Sequence, residues 1–206
     1  PGAWYGIRKC NLGLENMDLL TDATQEEKNL IKGQLLFFRA WFHFMLIQYF
    51  GGLPYIDKVL PSDVKLTLPR LSYQECANKA AADFREAANL LPVEWDNTLA
   101  GRRTLGKNDL RINKIMALGY LGKNYLWAAS PLMNGESTGN QNYNTDYAKK
   151  AAAAFGELLN IIDAGGTKYK LLPFQYYYKN FYTNFENWAM PGGRGGGPEQ
   201  GQEDIF

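Results

Sequence analysis

No stretch constrains this chain more than the one from Gln25 to Phe50. Leu30, Ile31, Leu35, Phe38, Phe42, Met45, Leu46 and Tyr49 recur at intervals of three and four, the repeat of a helix face. Leu36, Phe37, Trp41, Phe44 and Ile47 widen the apolar surface until nearly every side carries it. A helix of that kind outside a membrane must be packed on several sides, so it reads as a central strut. Arg39, His43 and Gln48 interrupt its most apolar run, residues 35–50, which reads as short of a membrane span. The Arg39 guanidinium must then snorkel outward or pair with a buried carboxylate. Thr24 and Glu27 form a capping box at the start, Gly51-Gly52 ends the helix, and Pro54 prevents its resumption.

Around this strut the pattern is helical throughout. Residues 3–20 carry Trp4, Ile7, Leu12, Leu14, Met17 and Leu20 at roughly helical spacing. Residues 55–69, with Pro61 and Pro69, form a connector in which a short strand fits but no sheet can be built. Ser72 and Glu75 form a second capping box, opening a helix that runs to about Leu91. Its apolar side is Ala77, Ala80, Ala81, Phe84, Ala87 and Ala88, small enough for a neighbouring helix to approach closely. A loop over residues 101–106 precedes a fourth helix that starts at Asn108 or Asp109 and closes at Ser130-Pro131. Within it, Gly119 and Gly122 each cost roughly 1 kcal/mol against alanine, understandable if they lie against another backbone. Residues 134–147 read as a polar loop, and a fifth helix follows over residues 146–164.

The fold expected is all-α, built of tetratricopeptide-like stacked helical hairpins with an irregular aromatic and glycine-rich tail. Residues 3–50 form the first hairpin, 72–129 the second, 146–164 the fifth helix and 165–206 the irregular tail. Together, residues 1–206 form one portion of a single helical domain. No motif recurs at a fixed period, so the repeat is one of shape.

Charge excludes several classes of partner. With 22 Lys plus Arg against 21 Asp plus Glu, composition does not drive the chain to nucleic acid, anionic lipid or acidic substrates. Catalytic groups are equally sparse. His43 is the one histidine, placed mid-helix between two phenylalanines, and reads as a satisfied core residue. Cys10 and Cys76 lack metal-site spacing and read as buried small hydrophobes, with a disulfide between them the lesser alternative. Glu15, Asp18, Asp22, Asp83 and Glu86 fall where solvated helix faces and caps place carboxylates. The Asn-rich run through Asn140, Asn144 and Asp146 does not match a calcium loop. No enzyme, cofactor or metal site is expected. Pro1-Gly2-Ala3-Trp4-Tyr5 lacks the start and layout of a signal peptide, and the chain reads as an inner portion of a longer protein.

Surface recognition remains. The 13 Tyr, 11 Phe and 5 Trp exceed what packing requires, and six Tyr or Phe fall between Tyr176 and Phe185. Tyr177, Trp188, Asn187 and Arg194 are the candidate ligand-binding residues, rings that stack and polar groups that hydrogen-bond to a glycan or peptide. The alternative is that these rings cover an open flank of the helical stack.

Several segments resemble, in order, the motifs of one family. Ile7-Arg8-Lys9-Cys10-Asn11 resembles the "Ile-Arg-x-x-Asn" opening of the SusD/RagB outer-membrane nutrient-binding lipoproteins of Bacteroidetes. Gly33-Gln34-Leu35-Leu36-Phe37-Phe38-Arg39-Ala40 is similar to the family's "Gly-Glu-Ala-x-Phe-Leu-Arg-Ala" helix, with Gln34 replacing the acid. Gln48-Tyr49-Phe50-Gly51-Gly52-Leu53-Pro54-Tyr55 is similar to its "Tyr-Gly-Gly-Val-Pro" turn. Trp127-Ala128-Ala129-Ser130-Pro131-Leu132-Met133-Asn134 is close to "Tyr-Ala-Ala-Ser-Pro-Leu-Phe-Asn", and Glu203-Asp204-Ile205-Phe206 resembles "Glu-x-Ile-Phe".

The resemblance implies non-catalytic binding of oligosaccharide or another nutrient at the cell surface. It implies delivery to a SusC-like, TonB-dependent transporter and attachment to the outer membrane by a lipid anchor absent from this chain. It also implies that most ligand groups come from segments before residue 7 and beyond residue 206. The matched motifs themselves are then scaffold. A helical-repeat module for binding another protein is the alternative.

Overall fold

A computed structural model describes residues 2–63, 65, 67–108, 111–169 and 174. Among these residues there are seven α-helices: α1 (Gly2–Glu15), α2 (Gln25–Phe50), α3 (Tyr73–Leu90), α4 (Leu99–Arg102), α5 (Lys114–Ala129), α6 (Pro131–Thr138) and α7 (Thr145–Asp163). Single 3₁₀ turns at Met17–Leu19 and Trp95–Asn97 complete the elements, so the all-α stack expected from periodicity is the observed fold. The chain divides into two compact units, one of residues 1–92 and 112–155, the other of residues 93–111 and 156–206.

In the first unit α1 packs on α2, α2 on α3 and α3 on α5. Each neighbour runs antiparallel to the last, because Gly6 faces Phe42 while Gly13 faces Leu35. Likewise Gly33 faces Leu90 and Leu91, while Phe37 meets Phe84 with ring centroids 5.5 Å apart. Both capping boxes form: Thr24 and Ser72 accept from the backbone N–H of Glu27 and Glu75, whose side chains accept in return. The alanine side of α3 is sealed, with Ala77, Ala80 and Ala87 at 0% exposure between α2 and α5. Phe37, Phe84 and Tyr120 meet there with centroids 5.5–6.0 Å apart, a cross-helix aromatic cluster.

Several expectations are corrected. Helix α1 stops at Glu15 and the chain continues in a 3₁₀ turn, short of residue 20. Helix α5 begins at Lys114, because Asn113 supplies the cap to Met116 N–H. Asn108 is committed elsewhere: its amide donates to Asp96 Oδ1 at 2.6 Å and to the Gly101 carbonyl at 2.9 Å. The polar stretch after Ser130 is not all loop. Ser130 ends α5 and also caps α6, where Pro131 occupies the first turn that suits its fixed φ and missing N–H. Gly122 lies under the Phe155 ring of α7, a side chain in place of the backbone expected; an added Cβ would sit 2.5 Å from it.

Helix α2 is also long and apolar enough to cross a membrane by length and composition. That overturns the expectation that it falls short. In the fold it is a core helix: Leu36, Phe37, Ala40, Phe44 and Ile47 are buried against α1, α3 and α5, and its Arg39 and His43 find polar partners.

In the second unit, Trp95 lies beneath the Arg111 guanidinium at 4.8 Å. Glu94 accepts from Thr167 Oγ1 at 2.6 Å and from the Lys168 N–H at 3.0 Å.

Candidate functional site

A buried polar assembly in the first unit grows from Arg39, midway along α2. A buried guanidinium needs acceptors for its N–H groups. Arg39 Nε and Nη2 donate to the two carboxylate oxygens of Asp83, both at 2.7 Å, a bidentate pair with side chains only 11% and 12% exposed. Nη1 donates to Asn11 Oδ1 at 3.1 Å and to the Asp57 carbonyl at 2.9 Å. Asp83 therefore departs from the solvated role expected of it. Its helix, α3, turns it inward at the register where α2 presents Arg39.

Asn11 carries the arrangement into the connector. Its amide donates to the Ile56 and Lys58 carbonyls, both at 3.0 Å. Tyr55 Oη donates to Asp83 Oδ2 at 3.2 Å, and burial beside that carboxylate pushes its phenol well above the usual range. Lys79 pairs with Asp57 at 3.0 Å, and Glu15 accepts from Val59 N–H at 2.7 Å. Without these bonds an irregular segment would leave its backbone groups unpaired against an apolar bundle.

His43 is at 0% exposure and stacks on Tyr55, with ring centroids 3.7 Å apart. Its Nε2 accepts from Ile56 N–H at 3.1 Å, which leaves the proton on Nδ1, 2.8 Å from the Arg39 carbonyl it donates to. Burial lowers the imidazole to about 4. Both nitrogens are spent within the scaffold, as a satisfied core histidine requires. Cys10 and Cys76 are free and buried, and burial pushes the Cys10 thiol up to about 11. Among the described residues no group of His, Cys, Asp and Glu is arranged to hold a metal ion.

A second polar node lies where α2 ends. Glu136 of α6 accepts from Gly52 N–H at 3.2 Å and from Tyr73 N–H at 2.9 Å, while Ser137 Oγ accepts from Gln74 N–H at 3.0 Å. Helix α6 thus caps the first turn of α3 from across the fold. Nothing in the local sequence pairs Glu136 with Tyr73, so periodicity could not find it.

Within α6, Asn134 is 3% exposed and fully engaged. Its amide donates to the Asn140 and Asn142 carbonyls at 2.9 Å, and its Oδ1 accepts from Gln74 Nε2 at 2.8 Å and Asn144 Nδ2 at 3.2 Å. The loop it holds forms one wall of a shallow recess of about 380 Å³, lined by Asn134, Thr138, Asn140, Tyr143, Asn144 and Thr145. The ligand residues expected from sequence, Tyr177, Trp188, Asn187 and Arg194, lie outside the described residues.

The clusters join motifs that are remote in sequence. Asn11, Arg39 and Tyr55 meet at the Arg39 clasp, and Gly52 and Asn134 are held at or beside α6. A SusD-like family model, described as "Starch-binding associating with outer membrane", matches residues 1–126. Solved structures share the fold. A SusD-like protein of Bacteroides fragilis is 24% identical, with 81% of this chain and 26% of that chain covered and a TM-score of 0.57. A surface glycan-binding protein A of Bacteroides uniformis is 19% identical over 99% of this chain and 36% of its own, with a TM-score of 0.63. A SusD homolog of Bacteroides thetaiotaomicron is 23% identical over 86% of this chain and 31% of its own, also at 0.63. The chain thus spans about a quarter to a third of these proteins. No curated protein matches it. With the family model covering more than half of its length and the motifs of that family meeting in its core, the chain belongs to the SusD-like family.

Proposed function

We propose that this chain is part of a non-catalytic protein that binds oligosaccharide or another nutrient at the cell surface and passes it to a TonB-dependent outer-membrane transporter. The match of residues 1–126 to a family described as starch-binding and associating with the outer membrane carries the reading. The names of two structural relatives, a surface glycan-binding protein and a sugar-binding protein, support it. So does the chemistry of the described residues. The buried ionisable groups Arg39, Asp83 and His43 are consumed in holding helices and connector together, leaving them no role at a reacting centre. Attachment to the outer membrane by a lipid anchor and ligand contacts from Tyr177, Asn187, Trp188 and Arg194 belong to the same proposal.

The test is fractionation of the native host expressing the tagged full-length protein. The expected result is recovery in the outer-membrane fraction, sensitivity to protease added to intact cells, and co-purification with a TonB-dependent transporter. Recovery in the cytoplasm without a transporter would overturn the reading.

A further inference from the structure

We propose that the connector between α2 and α3 opens locally by proton uptake: a proton on His43 Nε2 and the hold of residues 54–60 on the helices exclude each other. The helices of the first unit stay folded when the segment lifts.

The exclusion is geometric. The His43 ring is shut in at 0% exposure, stacked on Tyr55 at 3.7 Å and met edge-on by Trp4 at 6.4 Å. Nδ1 is committed to the Arg39 carbonyl within α2, so an added proton goes to Nε2. The group facing Nε2 is the Ile56 N–H, a donor, at 3.1 Å. Protonation therefore replaces a donor–acceptor pair by two donors aimed at each other, and it buries a new charge. Both costs vanish when Tyr55 and Ile56 leave the ring.

The charges around the ring do not rescue a cation in the closed form. Arg39 of α2 and Lys79 of α3 oppose it. Asp57 of the connector favours it, but is already paired with Lys79 at 3.0 Å. Asp83 of α3 is held by Arg39 and the Tyr55 hydroxyl, and α1 turns only the uncharged Trp4 ring toward the imidazole.

The segment that moves is bounded. Upstream, Leu53 is anchored, its N–H donating to Cys76 Sγ and its carbonyl accepting from Leu71 N–H. Downstream, residues 61–63 are exposed. Between these ends neither helix nor strand holds the chain, which hangs on side chains such as Asn11, Glu15, Arg39 and His43. The helices beneath are held by Phe37, Ala77, Ala80 and Phe84, apolar groups at 0% exposure that take up no proton.

The test is native-state hydrogen exchange on the full 206-residue chain from pH 6.5 to 4, corrected for the intrinsic rate and repeated at several low urea concentrations. Protection of the Ile56 and Val59 amides should fall up to about tenfold per pH unit, since a released ring takes its proton near 6.5 and the enclosed one near 4. These amides should exchange faster than the centre of α3 at every pH and with little dependence on urea, the mark of a local opening. The NMR titration of the one histidine should share its midpoint with the loss of protection at Ile56. In His43→Gln, whose side chain stays neutral, the slope at Ile56 should flatten. Constant protection at Ile56 overturns the proposal, as does protonation of His43 with the Ile56 amide still protected. Exchange at residues 54–60 that matches α3 in rate and urea dependence would make the opening global and overturn it too. An undiminished slope in His43→Gln would assign the proton to carboxylates, with the same consequence. If that variant does not fold, the wild-type comparison of the His43 and Ile56 midpoints decides by itself.

Discussion

Arg39 and Asp83 are the pair in which neither side chain can be removed alone. Each is desolvated against the other, so deleting one leaves an uncompensated buried charge. Asp83→Ala should lower stability by about 3–5 kcal/mol in urea unfolding. Adding Arg39→Met should recover a large part of that loss; a loss below about 1 kcal/mol would match a surface carboxylate and contradict the clasp. His43 gives a second test, in pH. The unfolded histidine takes up a proton near 6.5 and the folded one near 4, so the folded state binds it less readily. Its contribution is complete above pH 6.5 and is lost as pH falls from 6.5 to 4, on the order of 3 kcal/mol at about 1.4 kcal/mol per unit. Asp57 and Glu75, both held below their ordinary values, act at the acid end of that window and below it. In His43→Gln the slope between pH 6.5 and 4.5 should flatten. A histidine NMR titration is unambiguous, since the chain has one histidine, and a midpoint near 6.5 would refute its burial.

Among the elements, the exit of α2 depends most on particular residues. Gly51 has φ 69° and ψ −151°, a region open essentially to glycine alone. A Cβ on Gly52 would fall 1.9 Å from the Leu71 carbonyl oxygen, so the connector could return to α3 only by moving. Gly52→Ala should therefore lower stability by about 1–3 kcal/mol, with the urea midpoint as the readout. Glu136 holds the other side of this junction, its side chain 29% exposed. In Glu136→Gln, where one carboxylate oxygen gives way to a donor, hydrogen exchange should quicken at the Gly52 and Tyr73 amides while the centre of α2 stays protected. Equal protection in both proteins would mean the cross-fold cap contributes nothing. Capping boxes, by contrast, are local devices, and Thr24-x-x-Glu27 and Ser72-x-x-Glu75 formed where their spacing placed them.

For the molecule as a whole, α3 is enclosed on both sides, by α2 and by α5. Ala77, Ala80, Phe84 and Ala87 show 0% exposure, so its amides open only when those neighbours part. In native-state hydrogen exchange the slowest amides should map to the middles of α2 and α3. Slowest exchange in α1 or α7 would place the core elsewhere. The nutrient-binding reading also belongs to this scale, since it follows from no one residue or helix.

By itself the sequence determined the long helices: an apolar period of three to four residues, caps at Thr24 and Ser72 and breakers at Gly51 and Pro92 act within a few residues of one another. It also showed that Arg39 needed either an outlet or a carboxylate, because an unpaired charge inside an apolar helix is too costly. Which carboxylate it needed was out of its reach. Asp83 is indistinguishable in local pattern from Glu86, which pairs with Lys32 at 3.5 Å on the surface with both side chains 45% exposed. Only the antiparallel register of α2 against α3 decides which of the two faces inward. The same holds for Glu136 at the α3 N-terminus and for the Asn134 recess, assembled by contacts between segments far apart in the chain or by a loop folded back on itself. Short-range chemistry is written in residue spacing; long-range partnership is set by how the helices stack.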